Sequence, residues 1–437
     1  METYTHVVKY YECDRMGVTH HSNYVRFMEE ARIDLLDKLG VNVQLIRHGK
    51  YKSAGEMYTR GSSSAENREQ YQRLVNSIWE SLSSEIAASR GISVERLNAA
   101  IDNLELCLPQ DFIDAGLADE LVTRQDLEAK IVSLFGVDDI KDVKSVSLPE
   151  YISAKVVASK AKQKIAVIYA DGEIVDGNGK DDVAGNRFAS IISKVRCDSA
   201  VKAVVLRVNS PGGSVLASEK IKNELDLLAK EKPLIASYGE YAASGGYWIS
   251  ANSDKIYSDA STLTGSIGVF GMVPDLSKTY KDVAHIGVEC VTSNKHGDMF
   301  SLARPFDKAE YDYMLRSIED VYTRFTSLVS KARDLPETRV DEIGQGRVWT
   351  GADALGIKLV DEIGTLEDAI NYAAVAAGEP DLTKWAVKGY PKPKDPMSRI
   401  LQMLNSGSSE EEAVINRLRS LKDSKIVARM PYDLKVR

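Results

Sequence analysis

Apolar residues recur at helical spacing in two long stretches, REQYQRLVNSIWESLSSEIAASRGIS (68–93) and KAEYDYMLRSIEDVYTRFTSLVSKARDLP (308–336). Each ends at a Gly or Pro breaker, and each predicts a helix. Between them the pattern changes. KIAVIYADGEIV (164–175) reads as a strand, and VKAVVLRVNSPGG (201–213) as a buried strand running into a Gly-rich turn. KIKNELDLLAK (220–230) predicts an amphipathic helix, and PLIASYGEYAASGG (233–246) a further strand that ends in small residues. Strands alternating with helices predict an α/β module.

The chain repeats itself in part. LGVNVQLIRHGKYKS (39–53) aligns with IGVECVTSNKHGDMFS (286–301) on Gly40/Gly287, His48/His296, Gly49/Gly297 and Ser53/Ser301, with one residue inserted. Further along, QDFIDAGLADELV (110–122) parallels GADALGIKLVDEIG (351–364). The second copy follows the α/β stretch. The first has only 39 residues before Gly40, too few for a counterpart of residues 164–285. The expected organisation is therefore an N-terminal segment (1–38), the rear half of a first module (39–150), a complete second module (151–380) and a charged, partly helical tail (381–437).

The formal net charge of −8, with no dense Lys/Arg run, argues against a nucleic-acid binder. The four cysteines, Cys13, Cys107, Cys197 and Cys290, are widely spaced and suggest neither a disulfide framework nor a zinc site. No apolar run approaches the ~18 residues of a membrane span. METYTHVVKYYECD lacks a basic region followed by an apolar one, so no secretory signal is expected, and the chain as written would be cytoplasmic.

Two segments of the second module suit catalysis. Asn209-Ser210-Pro211-Gly212-Gly213 stands at the end of a predicted strand, where glycines let backbone N–H groups approach a ligand. Ala242-Ala243-Ser244-Gly245-Gly246 places a serine between small residues at a predicted helix start. There the Gly245 N–H and the helix dipole can face an oxyanion. Both patterns also arise from tight turns and close packing. A serine nucleophile needs a base. The six histidines are His6, His20, His21, His48, His285 and His296, so none lies between residues 49 and 284. A distant histidine can fold in, and a lysine can serve if burial depresses its pKa from ~10.4. Lys52 aligns with Phe300 in the repeat, which suits a semi-buried position; Lys50 competes with it. Ser266, in TLTGSIGVFG, reads as a supporting wall of the same site.

VKAVVLRVNSPGGSV, YAASGGYWIS, TLTGSIGVFG and QGRVWTGADALGIKLVDEIG, in that order, resemble the C-terminal module of the long, two-module signal peptide peptidase A (protease IV) family. HGKYKSAGEMYTR resembles that family's N-terminal module around its catalytic lysine. The resemblance covers about residues 38–380. It implies a Clp-protease/crotonase-like fold of stacked ββα units and a Ser–Lys dyad of Ser244 and Lys52, with Gly213 and Gly245 as oxyanion donors by similarity to Clp-type peptidases. It also implies cleavage of signal-peptide remnants and other unfolded hydrophobic peptides, ring-like homo-oligomers, location at the outward face of the bacterial inner membrane, and no need for metal, ATP or another cofactor.

Residues 1–38 depart from that family. YYECDRMGVTHHSNY and the helix after it resemble the start of a hotdog-fold acyl-CoA thioesterase of the 4-hydroxybenzoyl-CoA type, with Asp14 as the catalytic carboxylate. The remaining hotdog strands are absent. One strand and one helix bury too little apolar surface to offset ordering entropy, so this segment is expected to pack poorly and to be lost first to protease. The competing functions are thus a thioesterase acting through Asp14, a crotonase-like acyl-CoA enzyme and a non-catalytic assembly subunit.

Overall fold

A computed structural model of the chain describes residues 31, 33–148, 150–151, 161–180, 182–391 and, as backbone, 427–429. Asp14 and almost all of the thioesterase-like segment lie outside the described residues, as does most of the expected tail. The described chain groups into two units: Asn76–Lys160 is one, and the residues before and after it form the other.

The first described strand, β1 (Asn42–His48), leads through a loop and a single turn, Glu56–Thr59, to helix α1 (Ala65–Arg90). The shorter helices α2 (Val94–Asp102), α3 (Pro109–Asp114) and α4 (Arg124–Phe135) follow. The ends of α4 follow from its sequence. Thr123 and Asp126 form a reciprocal capping box, and Gly136 closes the helix in the left-handed conformation.

The larger unit holds two sheets. β2 (Gln163–Asp171), β3 (Ile174–Val175) and β4 (Val183–Ala184) lead into α5 (Gly185–Cys197). Next come β5 (Val201–Ser210), β6 (Gly212–Ser214), α6 (Val215–Ala229), β7 (Leu234–Ala243) and α7 (Gly245–Ser250). Then follow β8 (Lys255–Ser258), β9 (Leu263–Gly265), β10 (Val269–Asp275), α8 (Lys308–Arg333) and α9 (Glu337–Ile343). The unit continues with β11 (Val348–Thr350), α10 (Gly351–Gly356), β12 (Glu362–Ile363), α11 (Leu366–Ala376), β13 (Trp385–Tyr390) and β14 (Val427–Arg429).

The main sheet runs β11-β9-β7-β5-β2-β13, with β8 on β7 and β12 on β8. Its central pairs are parallel. Both faces are covered, which is why β5 is a near-continuous apolar run. Ala203 and Val205 face a cluster with Ala369, Ala373 and Ala374 of α11. Val204, Leu206 and Val208 face the larger core with α5, α6, α7 and α8. The second sheet runs β1-β10-β14-β6-β3-β4. The whole is mixed α/β with stacked sheets and helices, the class expected. Residues 381–437 were expected to be a tail, but Trp385–Tyr390 pair in parallel with β2, and Trp385 and Ala386 are buried. The short run WAVKGY suffices for an edge strand once β2 offers it hydrogen-bond partners.

β1 pairs antiparallel with β10 over its whole length, from Asn42↔Asp275 to His48↔Val269, and Ile46 is fully buried. β1 therefore joins the sheet that holds β10, and the loop after His48 is fixed at its start. Among the described residues no helix is long and apolar enough to cross a membrane.

Candidate active site

Ser244 follows the last residue of β7 and precedes the first of α7. Its backbone is strained at φ 56°, ψ −114°, a region a non-glycine residue enters only when its surroundings over-determine it. Here they do. The Ser244 N–H donates to the Gly265 carbonyl at 2.8 Å, and its own carbonyl accepts from Trp248 N at 2.8 Å. The small neighbours are needed for packing as well: a Cβ on Gly246 would lie 2.7 Å from the Ser210 carbonyl oxygen.

Lys52 lies in the loop after β1 and is completely buried. Its Nζ is 2.9 Å from Ser244 Oγ, 2.9 Å from Ser266 Oγ and 3.1 Å from the Ser266 carbonyl oxygen. The Phe270 ring lies 6.0 Å away. Among the described residues no carboxylate bonds the amine, and burial pushes its pKa well below the ordinary lysine value. Nζ thus meets three oxygens, two on Ser266 and one on Ser244; in the neutral form it keeps two N–H donors and gains one lone pair. Behind the amine, Arg47 Nη1 donates to the Lys52 carbonyl at 2.9 Å and pairs with the buried Glu56 carboxylate at 3.0 Å.

The sequence-derived residues therefore divide cleanly. Ser244, Lys52 and Ser266 meet in one hydrogen-bonded group, and Lys50 does not join it; its amine lies 5.0 Å from the centre of the Tyr51 ring. Gly213 is on β6, where a Cβ would fall 2.0 Å from the Ile174 carbonyl oxygen, and Gly245 opens α7. Phe300, the repeat counterpart of Lys52, is 41% exposed and packs on Phe306. Of the histidines, His48 stacks on Tyr322 and His296 bonds Glu310. Asp307 and Glu310 approach His296 closely enough for a metal. Arg304, however, already lies 2.7 Å from Glu310 Oε1, where it would repel a cation. Sequence reasoning missed Arg47, Glu56 and the turn residues Gln345 and Gly346 around the Lys52 loop. The glycines of QGR and GSIG were the available signal.

The comparisons with known proteins bear on this geometry. The profile of Peptidase family S49 matches residues 22–138 and 226–379, more than half of the chain. The chain belongs to Peptidase family S49. The match begins within the segment that resembles a thioesterase. The chain is 38% identical over 353 residues to "Protease 4" of Haemophilus influenzae, an alignment covering 78% of this chain and 57% of that protein. It is 30% identical over 381 residues to "Serine protease SPPA, chloroplastic" of Arabidopsis thaliana, covering 85% and 56%. It is 33% identical over 219 residues to "Putative signal peptide peptidase SppA" of Enterococcus faecium, covering 48% and 63%. The chain thus spans under two thirds of the curated relatives named here. A ClpP1 mutant from Listeria monocytogenes superposes on 47% of this chain and 94% of its own, with a TM-score of 0.32 and 14% identity.

Proposed function

We propose that this S49 member is a serine endopeptidase that cuts unfolded hydrophobic peptides, including remnants of cleaved signal peptides, with Ser244 as nucleophile and Lys52 as base. The observation that carries the reading is the fully buried Lys52 amine 2.9 Å from the Ser244 hydroxyl. A lysine in water is almost wholly protonated at neutral pH, whereas a desolvated one holds a usable lone pair.

In this mechanism Lys52 Nζ takes the Ser244 proton as Oγ attacks the peptide carbonyl carbon. The oxyanion that forms is faced by the Gly213 and Gly245 N–H groups. The Lys52 ammonium then gives its proton to the departing amine, leaving an ester on Ser244. Water, deprotonated by the same amine, hydrolyses the ester and restores the serine. Ser266 orients the amine by accepting its two remaining N–H bonds. The chemistry needs neither metal nor nucleotide. The signal-peptide substrate and a homo-oligomer at the cell envelope are taken from the family resemblance, and the name of the Enterococcus relative supports that substrate class.

The test is labelling with a serine-reactive fluorophosphonate, with the adduct mapped, and turnover of an unfolded peptide. Label should sit on Ser244, and Ser244→Ala or Lys52→Ala should lower turnover by at least about a thousandfold. Near-native activity in either variant overturns the reading. Adduct on Ser266 would reverse the two serines' roles.

A further inference from the structure

We propose that the turn Gly344–Arg347, between α9 and β11, is a positioning element for the Ser244–Lys52 pair, and that the fit depends on Gly346. The inference rests on the reading in which Lys52 is the base of Ser244.

The turn is bonded to both halves of the site. The Tyr51 N–H, next to Lys52, donates to the Gln345 carbonyl at 2.9 Å. The Gly346 N–H donates to the Ile267 carbonyl at 2.7 Å, and the Ser266 N–H donates to the Arg347 carbonyl at 2.7 Å. Gly265, at the other end of that segment, accepts from the Ser244 N–H at 2.8 Å. One turn therefore mounts the lysine loop and also the Gly265–Ile267 segment, which carries Ser266 and holds Ser244. The spacing of amine and hydroxyls is set by this frame, because one hydrogen bond between flexible side chains is too weak to impose it.

Gly346 is where the frame meets the lysine. Its φ is +79°, and a Cβ there would lie 2.5 Å from Lys52 Cβ and 2.7 Å from both Lys52 Cα and Lys52 N. Those backbone atoms cannot swing aside as a side-chain tip can. Gly268 borders the same stem: its Cβ would stand 2.6 Å from Gly346 Cα and 3.3 Å from Lys52 Cδ. At the end of the turn, the Arg347 guanidinium lies 4.8 Å from the Tyr51 ring centre and 4.4 Å from that of Trp349. It also reaches Glu69 at 3.1 Å, and Glu69 accepts from the Tyr51 hydroxyl at 3.1 Å. Among the described residues the charged groups at the lysine loop are thus Lys50 and the pairs Arg47–Glu56 and Arg347–Glu69, and none of them bonds Nζ. Displacing Lys52 would act by wetting its amine.

The experiment uses the full chain. Fluorophosphonate labelling of Ser244 is followed against pH, together with thermal melting, for the native protein, Gly346→Ala and Arg347→Met. Gly346→Ala should still melt cooperatively. It should label at least about tenfold more slowly near neutral pH, since a misplacement of about 1 Å can cost on the order of a hundredfold. The midpoint of its pH profile should also move upward by on the order of one unit, because a wetter lysine holds its proton more tightly. A lesion that only unfolds part of the sample lowers the labelled amount and leaves the midpoint in place. Arg347→Met, which keeps a stem on the two rings, should shift the midpoint the same way and less, and it decides the matter if Gly346→Ala does not fold. A native midpoint in the deciding variant overturns the proposal, whether or not the rate falls. If native protein never labels at Ser244, the dyad itself is wrong and the positioning role falls with it. That result is distinct from a labelled native protein with indifferent variants.

Discussion

Lys52 carries a cost in stability that its proposed role explains. Burial holds its pKa well below the ordinary value of 10.5. Between the folded and unfolded pKa values the unfolded chain binds one more proton than the folded chain, so native stability rises with pH across that window. Lys52→Met removes the titration. The Tm of Lys52→Met minus that of the native protein should therefore be most positive near neutral pH and shrink towards about pH 10. A difference that stays flat over that range would mean that the amine titrates normally. Peptidase activity should follow the same proton, climbing from neutral to mildly alkaline pH as Lys52 becomes neutral. An acid optimum measured with a peptide substrate would exclude a lysine base. Ser266→Ala should leave label on Ser244, because the proposed nucleophile is untouched.

Helices α4 and α11 show how the same local signals give different burial. Both begin at a threonine with a reciprocal aspartate three residues on, Thr123/Asp126 and Thr365/Asp368. They are followed by Gly136 and Gly378, both at positive φ. α11 lies on the main sheet through Ala369, Ala373 and Ala374, all fully buried. The corresponding positions of α4 are Leu127, Ile131 and Val132, and no residue of α4 is buried; Leu127 is half exposed. Small side chains let α11 approach the strands closely, so Ala373→Leu should cost about 1–3 kcal/mol through overpacking. Leu127→Ser should stay within about 0.5 kcal/mol. Urea unfolding followed by fluorescence would check both. Equal losses at the two positions would show that α4 is packed as tightly as α11.

At the scale of the molecule, the two central side chains are 192 residues apart in sequence. The β1–β10 ladder closes that gap, and Ile46 anchors it. Ile46→Ala should cost about 2–5 kcal/mol and also slow labelling of Ser244, since the Lys52 loop hangs from the end of β1. Destabilisation with native labelling kinetics in the folded fraction would show that the loop is held by other contacts. α1 adds a second anchorage. Gln70 Oε1 accepts from the Val348 N–H at 2.8 Å, and Arg73 forms an ion pair with Asp353.

The sequence by itself determined the two long helices, the parallel α/β core and the small-residue setting of Ser244, because periodicity, breakers and side-chain size act within a few residues. The repeat also pointed to Lys52, through its mismatch with Phe300, and left Lys50 as a competitor. Only the tertiary structure decided that Lys52 is wholly buried, that β1 enters the second module's sheet, and that Trp385–Tyr390 is a strand. It alone brought Gln345–Arg347 to the lysine loop. Each of these depends on which distant backbone groups are left to pair and which surface is left to cover, and those are fixed only when remote segments meet.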